Sequence, residues 1–340
     1  MKHIIKIKKS IFFIIAAMAI ANISISQTIK EVKGTFVNLV YQDVRNKYMN
    51  PADVDGTDPQ LWKTKLKEYS DMGVSYVIIM ALANEGKSYY PSKFMQHAYP
   101  EGQESPVEAI VQAADKYGMK VFLSCGWAYD QDDDVSKPET RAKMIKIMKE
   151  LCDLFKQDKS FYGWYLPVEQ SLAPILSDKA VEDVNSLTSI AKKLTPRRKV
   201  MISPYGIWDS EIRTKKFSDQ IEKLKVDIIA YQDEIGCVRE PFPMEIMKKN
   251  FKILGQIHKG TGIEFWSNIE SFTWQKMPNS RESALIPAPF PRYLSQIVGA
   301  TMAGSQEIVS FSIYGIMDNP DSDMPLGQPI WSAKFYNYYM

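Results

Sequence analysis

The chain has 340 residues, with 42 Lys and Arg against 40 Asp and Glu and a formal net charge of +2. Charges that nearly cancel, with no basic run after the first few residues, leave no electrostatic footprint for nucleic acid or an anionic surface. Three cysteines without CxxC spacing and three histidines are too few to suggest a thiolate or imidazole metal centre, so no metal and no cofactor is expected.

Residues 1–9 (MKHIIKIKK) carry four lysines, Ile11–Ile20 (IFFIIAAMAI) is continuously apolar, and the small residues Ser24 and Ser26 precede Gln27. That order is the order of a secretory signal peptide. Its apolar core falls short of the roughly 20 residues that span a bilayer. The expectation is that residues 1–26 are removed and the protein is exported, periplasmic or secreted. Residues 27–340 then form one domain with no membrane contact.

From there the elements alternate. Gly34–Val40 reads as a strand. Asp58–Met72 reads as a helix, with Asp58 as N-cap, Pro59 at the first position and Leu61, Trp62, Leu66 and Tyr69 on one stripe. Val74–Met80 is the next strand, Ser105–Tyr117 a helix closed by Gly118, and Lys120–Cys125 a strand. Lys137–Lys156 is helical, with Met144, Ile147, Met148, Leu151 and Phe155 inward. Phe161–Gln170 (FYGWYLPVEQ) follows as a buried strand that ends on a carboxylate. Asp178–Leu194, Ser210–Lys225, Met244–Lys259, Phe290–Ala303 and Trp331–Tyr339 read as helices. Lys199–Pro204, Asp227–Tyr231, Ile263–Asn268 and Glu307–Ile313 are the strands between them. Eight strands alternating with helices in a chain of this length select an α/β fold, the (β/α)₈ TIM barrel. A doubly wound sheet fits less well, because no glycine-rich phosphate turn follows the first strand.

In such barrels the functional groups stand at the C-terminal ends of the strands. The first strand delivers Tyr41, Gln42 and Asp43, the second Asn84 and Glu85, and the third Trp127, Tyr129 and Asp130. The fourth delivers Glu169 and Gln170, the fifth Tyr205 and Trp208, and the sixth Tyr231, Gln232, Asp233 and Glu234. The seventh delivers Trp266, Asn268, Glu270 and Trp274, and the eighth Tyr314 and Asp318. Carboxylates, amides and aromatic rings with almost no basic residue suit a neutral polyhydroxylated ligand, a neutral glycan, better than a phosphate or carboxylate. The expected glycan-binding residues are Asp43, Asn84, Trp127, Gln170, Tyr205, Tyr231, Gln232, Asp233, Trp266, Asn268, Trp274 and Tyr314.

Cleaving a glycosidic bond needs one carboxylic acid to protonate the leaving oxygen and one carboxylate to attack, or to activate water, on the opposite face. Glu169 and Glu270 close the fourth and seventh strands, nearly opposite each other across the mouth, and are the expected acid/base and nucleophile. An eight-stranded barrel with glutamates ending its fourth and seventh strands resembles the retaining glycoside hydrolases of clan A. The wording GWYLPVEQ around Glu169 and FWSNIESF around Glu270 resembles, more narrowly, a domain-of-unknown-function family of secreted, glycosidase-like barrels. The resemblance runs from about Gly34 to the C-terminus and implies the same two roles. It departs at Val168, where clan A barrels carry an Asn that holds the sugar 2-hydroxyl. Gln170, Asn84 or Asn268 takes that job, or the barrel binds carbohydrate without cleaving it. A third reading, a cation-dependent hydrolase or lyase using Asp43, Asp130 or Asp233, needs oxygen ligands that the spacing does not pair.

Overall fold

Eight parallel strands close on themselves in a computed structural model that describes residues 28–39, 55–126, 134–168, 170–236, 243–276, 285–326 and 329–340. They are β1 (Gly34–Val37), β2 (Tyr76–Ile79), β3 (Lys120–Ser124), β4 (Phe161–Tyr165), β5 (Lys199–Ile202), β6 (Ile228–Gln232), β7 (Glu264–Glu270) and β8 (Glu307–Phe311). Each strand pairs with its neighbours in the chain, and β8 returns to β1. Among the described residues the helices are α1 (Pro59–Asp71), α2 (Pro106–Tyr117), α3 (Pro138–Phe155), α4 (Asp178–Leu194), α5 (Lys215–Lys223), α6 (Met244–Ile257), α7 (Phe290–Met302) and α8 (Pro329–Tyr339). The fold is the TIM barrel expected from the alternation.

Local chemistry sets the boundaries. The Asp58 side chain accepts from the Gln60 backbone N–H at 2.8 Å and starts α1. Ser105 and Glu108 form a reciprocal capping box at the start of α2. Thr214 caps α5 by accepting from the Phe217 N–H, so this helix starts at Lys215 rather than at Ser210. Strand β7 runs two residues further than its apolar pattern indicated, because Ile269 and Glu270 still pair with Ser310 and Phe311 of β8.

Strand alternation then decides which side chains face inward. Phe36, Ile78, Phe122, Tyr165, Met201, Trp266 and Val309 fill the barrel interior. Their sequence neighbours Val37, Val77, Val121, Trp164, Ile202 and Phe265 pack outward against the helices. At the N-terminal end of the barrel, Lys120 lies over the Tyr76 and Tyr162 rings at 4.8 Å each, and Lys199 pairs with Glu264 at 3.1 Å. Two small sheets outside the barrel were not read from the sequence. One joins Ala83–Asn84, Lys87–Ser88 and Gln96–His97, and the other pairs Phe272–Trp274 with Leu285–Pro287.

Candidate active site

The inward face of β7 carries Glu264, Trp266, Asn268 and Glu270 in turn, from the closed end of the barrel to its mouth. Asn268 is buried, and its Nδ2 donates to Ser203 Oγ at 3.1 Å. Ser203 in turn donates to the Ala230 carbonyl at 2.7 Å, and Gln232 Nε2 donates to the Ser203 carbonyl at 2.9 Å. Three neighbouring strands thereby share one polar layer beneath the mouth. Asn268 Oδ1 is buried there without a hydrogen-bond partner among the described residues, an acceptor left over in a place where such groups are nearly always paired.

Glu270, 5% exposed, ends β7. Its Oε2 accepts the Gly236 N–H at 2.6 Å, and its own N–H donates to Asp233 Oδ1 at 3.2 Å. Its carbonyl accepts from Arg292 at 3.0 Å and from Gln296 at 3.1 Å, both on α7. Burial, then the Asp233 charge, push the Glu270 carboxyl well above the usual carboxylate range, against the Gly236 N–H and the Arg292 charge. Asp233 is wholly buried and pushed up to about 6 by that burial, against the hydrogen bond from Gln296 Nε2 at 2.6 Å.

The loops after β4, β5 and β6 are tied together around this point. Ser171 bridges to Tyr205, and the Leu172 N–H donates to the Tyr205 carbonyl at 2.7 Å. Glu234, at φ 52, turns the chain after β6, and its Oε2 accepts the Gly206 and Ile207 N–H groups at 2.7 and 3.2 Å. Tyr205 is 38% exposed and Gln170 is exposed. Trp274 is half-buried on the ribbon that continues from β7, opposite Leu285. Asn84 is half-buried in the small sheet after β2.

Four residues expected to line the glycan site have their side chains engaged by other parts of the protein. Tyr231 sits on the outward face of β6, fully buried, with its hydroxyl 2.9 Å from His258 Nε2. His258 Nδ1 faces the Ile263 carbonyl at 2.9 Å and must donate to it, so Nε2 accepts from the tyrosine. Trp266 is inward but four residues short of the end of β7, packed on Tyr76 at 4.8 Å with Nε1 donating to Glu264. Tyr314 packs on Trp62 of α1 at 5.2 Å, and Asp233 spends its carboxylate on protein N–H groups. For Tyr231 the position on the strand was legible but not the side that it faces, and for Trp266 the facing was right but the depth was not. Asp318 is likewise buried, 3.7 Å from the Lys65 ammonium of α1. Asp43, Trp127 and Glu169, with Tyr41, Gln42, Tyr129 and Asp130, lie outside the described residues.

Ser203, Gly236, Arg292 and Gln296 were not singled out from the sequence. Ser203 was findable, since it stands two residues after inward Met201 and shares its parity. Gln296 was findable too, as a polar residue on the buried stripe of α7 with Tyr293, Ile297 and Ala300.

A closed parallel barrel with helices between its strands defines the TIM-barrel class, and solved structures share that fold. A proposed α-L-fucosidase of Bacteroides thetaiotaomicron superposes with a TM-score of 0.70 at 19% identity, over 91% of this chain and 92% of the other. An endo-1,4-β-D-mannanase of Thermotoga petrophila superposes with a TM-score of 0.59 at 14% identity, over 91% and 99%. A glycoside hydrolase family 5 protein of Bacteroides vulgatus gives 0.53 at 12% identity, over 83% of this chain and 61% of the other. No curated protein matches. The chain belongs to the family described as a domain of unknown function, DUF4434, matched over residues 32–324.

Proposed function

We propose that the protein is an exported glycoside hydrolase that cleaves a neutral oligo- or polysaccharide with Glu270 as nucleophile and Glu169 as acid/base. The observation that carries this reading is Glu270 itself. Its carboxyl is brought by the inward face of β7 to the mouth, buried, and held by the Gly236 N–H at 2.6 Å. A buried carboxyl in that position has been desolvated at considerable expense in stability, which suits a reacting group better than a structural one. The polar layer of Asn268, Ser203 and Gln232 below it offers acceptors and donors for sugar hydroxyls. Tyr205 and Trp274 offer aromatic surface at the rim, suited to the C–H faces of sugars. The likeness of fold to glycosidases supports the same class of chemistry.

In the proposed reaction Glu169 protonates the leaving oxygen while ionised Glu270 attacks the anomeric carbon. Water then releases the sugar from Glu270 with Glu169 acting as base. Asn268, with its unpartnered Oδ1, takes the place of the Asn that Val168 replaces. The test is turnover of activated aryl glycosides and neutral glycans by the parent, Glu270→Gln and Glu169→Gln proteins, with the product anomer read by NMR. Loss in Glu270→Gln, and a loss in Glu169→Gln that is smaller on activated substrates, is the expected result. Binding of glycans without turnover by the parent protein would favour a carbohydrate-binding barrel instead.

A further inference from the structure

Asp233 stands just past the end of β6 and is wholly buried, yet it is engaged by three separate donors. Its Oδ1 accepts the Ile235 N–H at 3.3 Å and the Glu270 N–H at 3.2 Å, and its Oδ2 accepts Gln296 Nε2 at 2.6 Å. The first bond shapes the turn that ends on Gly236, whose N–H holds the Glu270 carboxyl at 2.6 Å. The second holds the backbone that carries Glu270. The third is shared, because the same Gln296 amide also donates to the Glu270 carbonyl at 3.1 Å. One carboxylate therefore fixes both the residue that bears the reacting group and the turn that grips it.

We propose that Asp233 is a positioning residue for Glu270, aiming its carboxyl from both strand and turn and, as a second buried acid beside it, governing when it gives up its proton. The proposal rests on reading Glu270 as the reacting carboxylate. Among the described residues, the charged groups that face Glu270 are Asp233, Glu234 on the same turn and Arg292 on α7. Glu234 is occupied by the Gly206 and Ile207 N–H groups, and Arg292 by the Glu270 and Phe272 carbonyls. Of the two acids, Asp233 is the larger influence on Glu270, and it opposes ionisation. Two buried acids side by side lose their protons in separate steps, the second impeded by the first charge. The donors on Asp233 favour placing the first charge there, which leaves the proton on Glu270 until the pH is higher.

Asp233→Asn tests this with little change of shape. Gln296 Oε1 is buried without a partner among the described residues, so the Gln296 amide can turn over to accept from the new side-chain N–H, giving up its bond to the Glu270 carbonyl, which keeps the bond from Arg292 at 3.0 Å. The acid limb of kcat/KM and the infrared carboxyl band assigned to Glu270 by its loss in Glu270→Gln are both read against pH. Both are expected to move down by about 1–2 pH units, because a neighbouring negative charge has gone, with KM little changed. A folded Asp233→Asn protein in which neither moves overturns the proposal. The infrared titration needs no substrate, so a shifted band in a protein that cleaves no glycan supports the Asp233 assignment while refuting the hydrolase reading. If Asp233→Asn does not fold, Gln296→Met decides. It strips the 2.6 Å donor from Asp233, so the lower of the two carboxyl steps must rise, and an unmoved step overturns the proposal.

Discussion

Gly236 donates its backbone N–H to Glu270 Oε2 at 2.6 Å, so the turn after β6 ends on the carboxyl that closes β7. Only a glycine fits there, since a Cβ on residue 236 would lie 2.1 Å from the Phe272 carbonyl oxygen and 3.2 Å from Glu270 Oε2. Gly236→Ala is expected to cost about 1–3 kcal/mol through forced displacement of the turn. It should lower turnover more than binding, because the carboxyl loses its aim. Denaturant melts and steady-state kinetics check this, and an alanine variant with parental stability and rate would show that the turn has slack.

The proton on Glu270 gives a pH prediction. Burial and Asp233 raise this carboxyl well above its ordinary value, whereas a nucleophile must be ionised. Activity should therefore rise with pH along a limb displaced upward from the ordinary glutamate value of about 4.3. Glu270→Gln should lower kcat by on the order of 10³-fold or more at every pH, with no limb left to titrate. A parental limb at the ordinary value would mean that a different carboxylate reacts.

The barrel was legible because amphipathic helices with good caps alternate with apolar strands, and that pattern survives any uncertainty of boundary. The ends of the strands were legible as places. Facing was less so: Tyr231 and Gln232 are adjacent, yet Gln232 joins the polar layer while Tyr231 seals against His258. Counting parity back from Glu270 through Asn268 to Trp266 would have put the tryptophan inside the barrel and too deep to meet a ligand. The partners of Asp233, namely Ile235, Glu270 and Gln296, were not legible because they are distant in sequence or are backbone atoms. The short sheets after β2 and β7 were invisible, because two or three residues carry no period.

The relocation of Tyr231 is testable in the opposite sense to a substrate contact. Tyr231→Phe removes the hydroxyl that fills His258 Nε2 and leaves a buried ring nitrogen unpaired. Stability should fall by about 1–3 kcal/mol while kcat and KM stay at parental values. A change in KM with unchanged stability would return Tyr231 to the glycan site.

Trp274 is half-buried on the ribbon beyond Glu270, where a ring can stack on a sugar bound at the mouth. Trp274→Ala should weaken binding of neutral oligosaccharides by about 1–3 kcal/mol with the melting transition nearly unmoved. Calorimetric titration measures the first and thermal unfolding the second. Equal affinity in the variant would place the ring's role in packing the ribbon.

Far from the mouth, Lys65 is fully buried on α1 and lies 2.9 Å from Glu68 and 3.7 Å from Asp318, on the loop after β8. Burial pushes the Asp318 carboxyl up to about 6 despite the ammonium. The folded state therefore holds this proton over a pH range in which the unfolded chain, with an ordinary value of about 3.9, has released it. Stability contributed by the group must then fall as pH rises from about 4 to about 6, the reverse of an ordinary ion-paired aspartate. Asp318→Asn keeps the shape and removes the titration. Relative to the parent, the variant should gain about 2–3 kcal/mol across that window, less whatever the lost attraction to Lys65 removes. Unfolding free energies of the two proteins, measured at several pH values between 4 and 7, give the difference directly. A difference that stays flat across the window would mean that Asp318 is already ionised in the fold, stabilised by Lys65 more strongly than a 3.7 Å separation suggests.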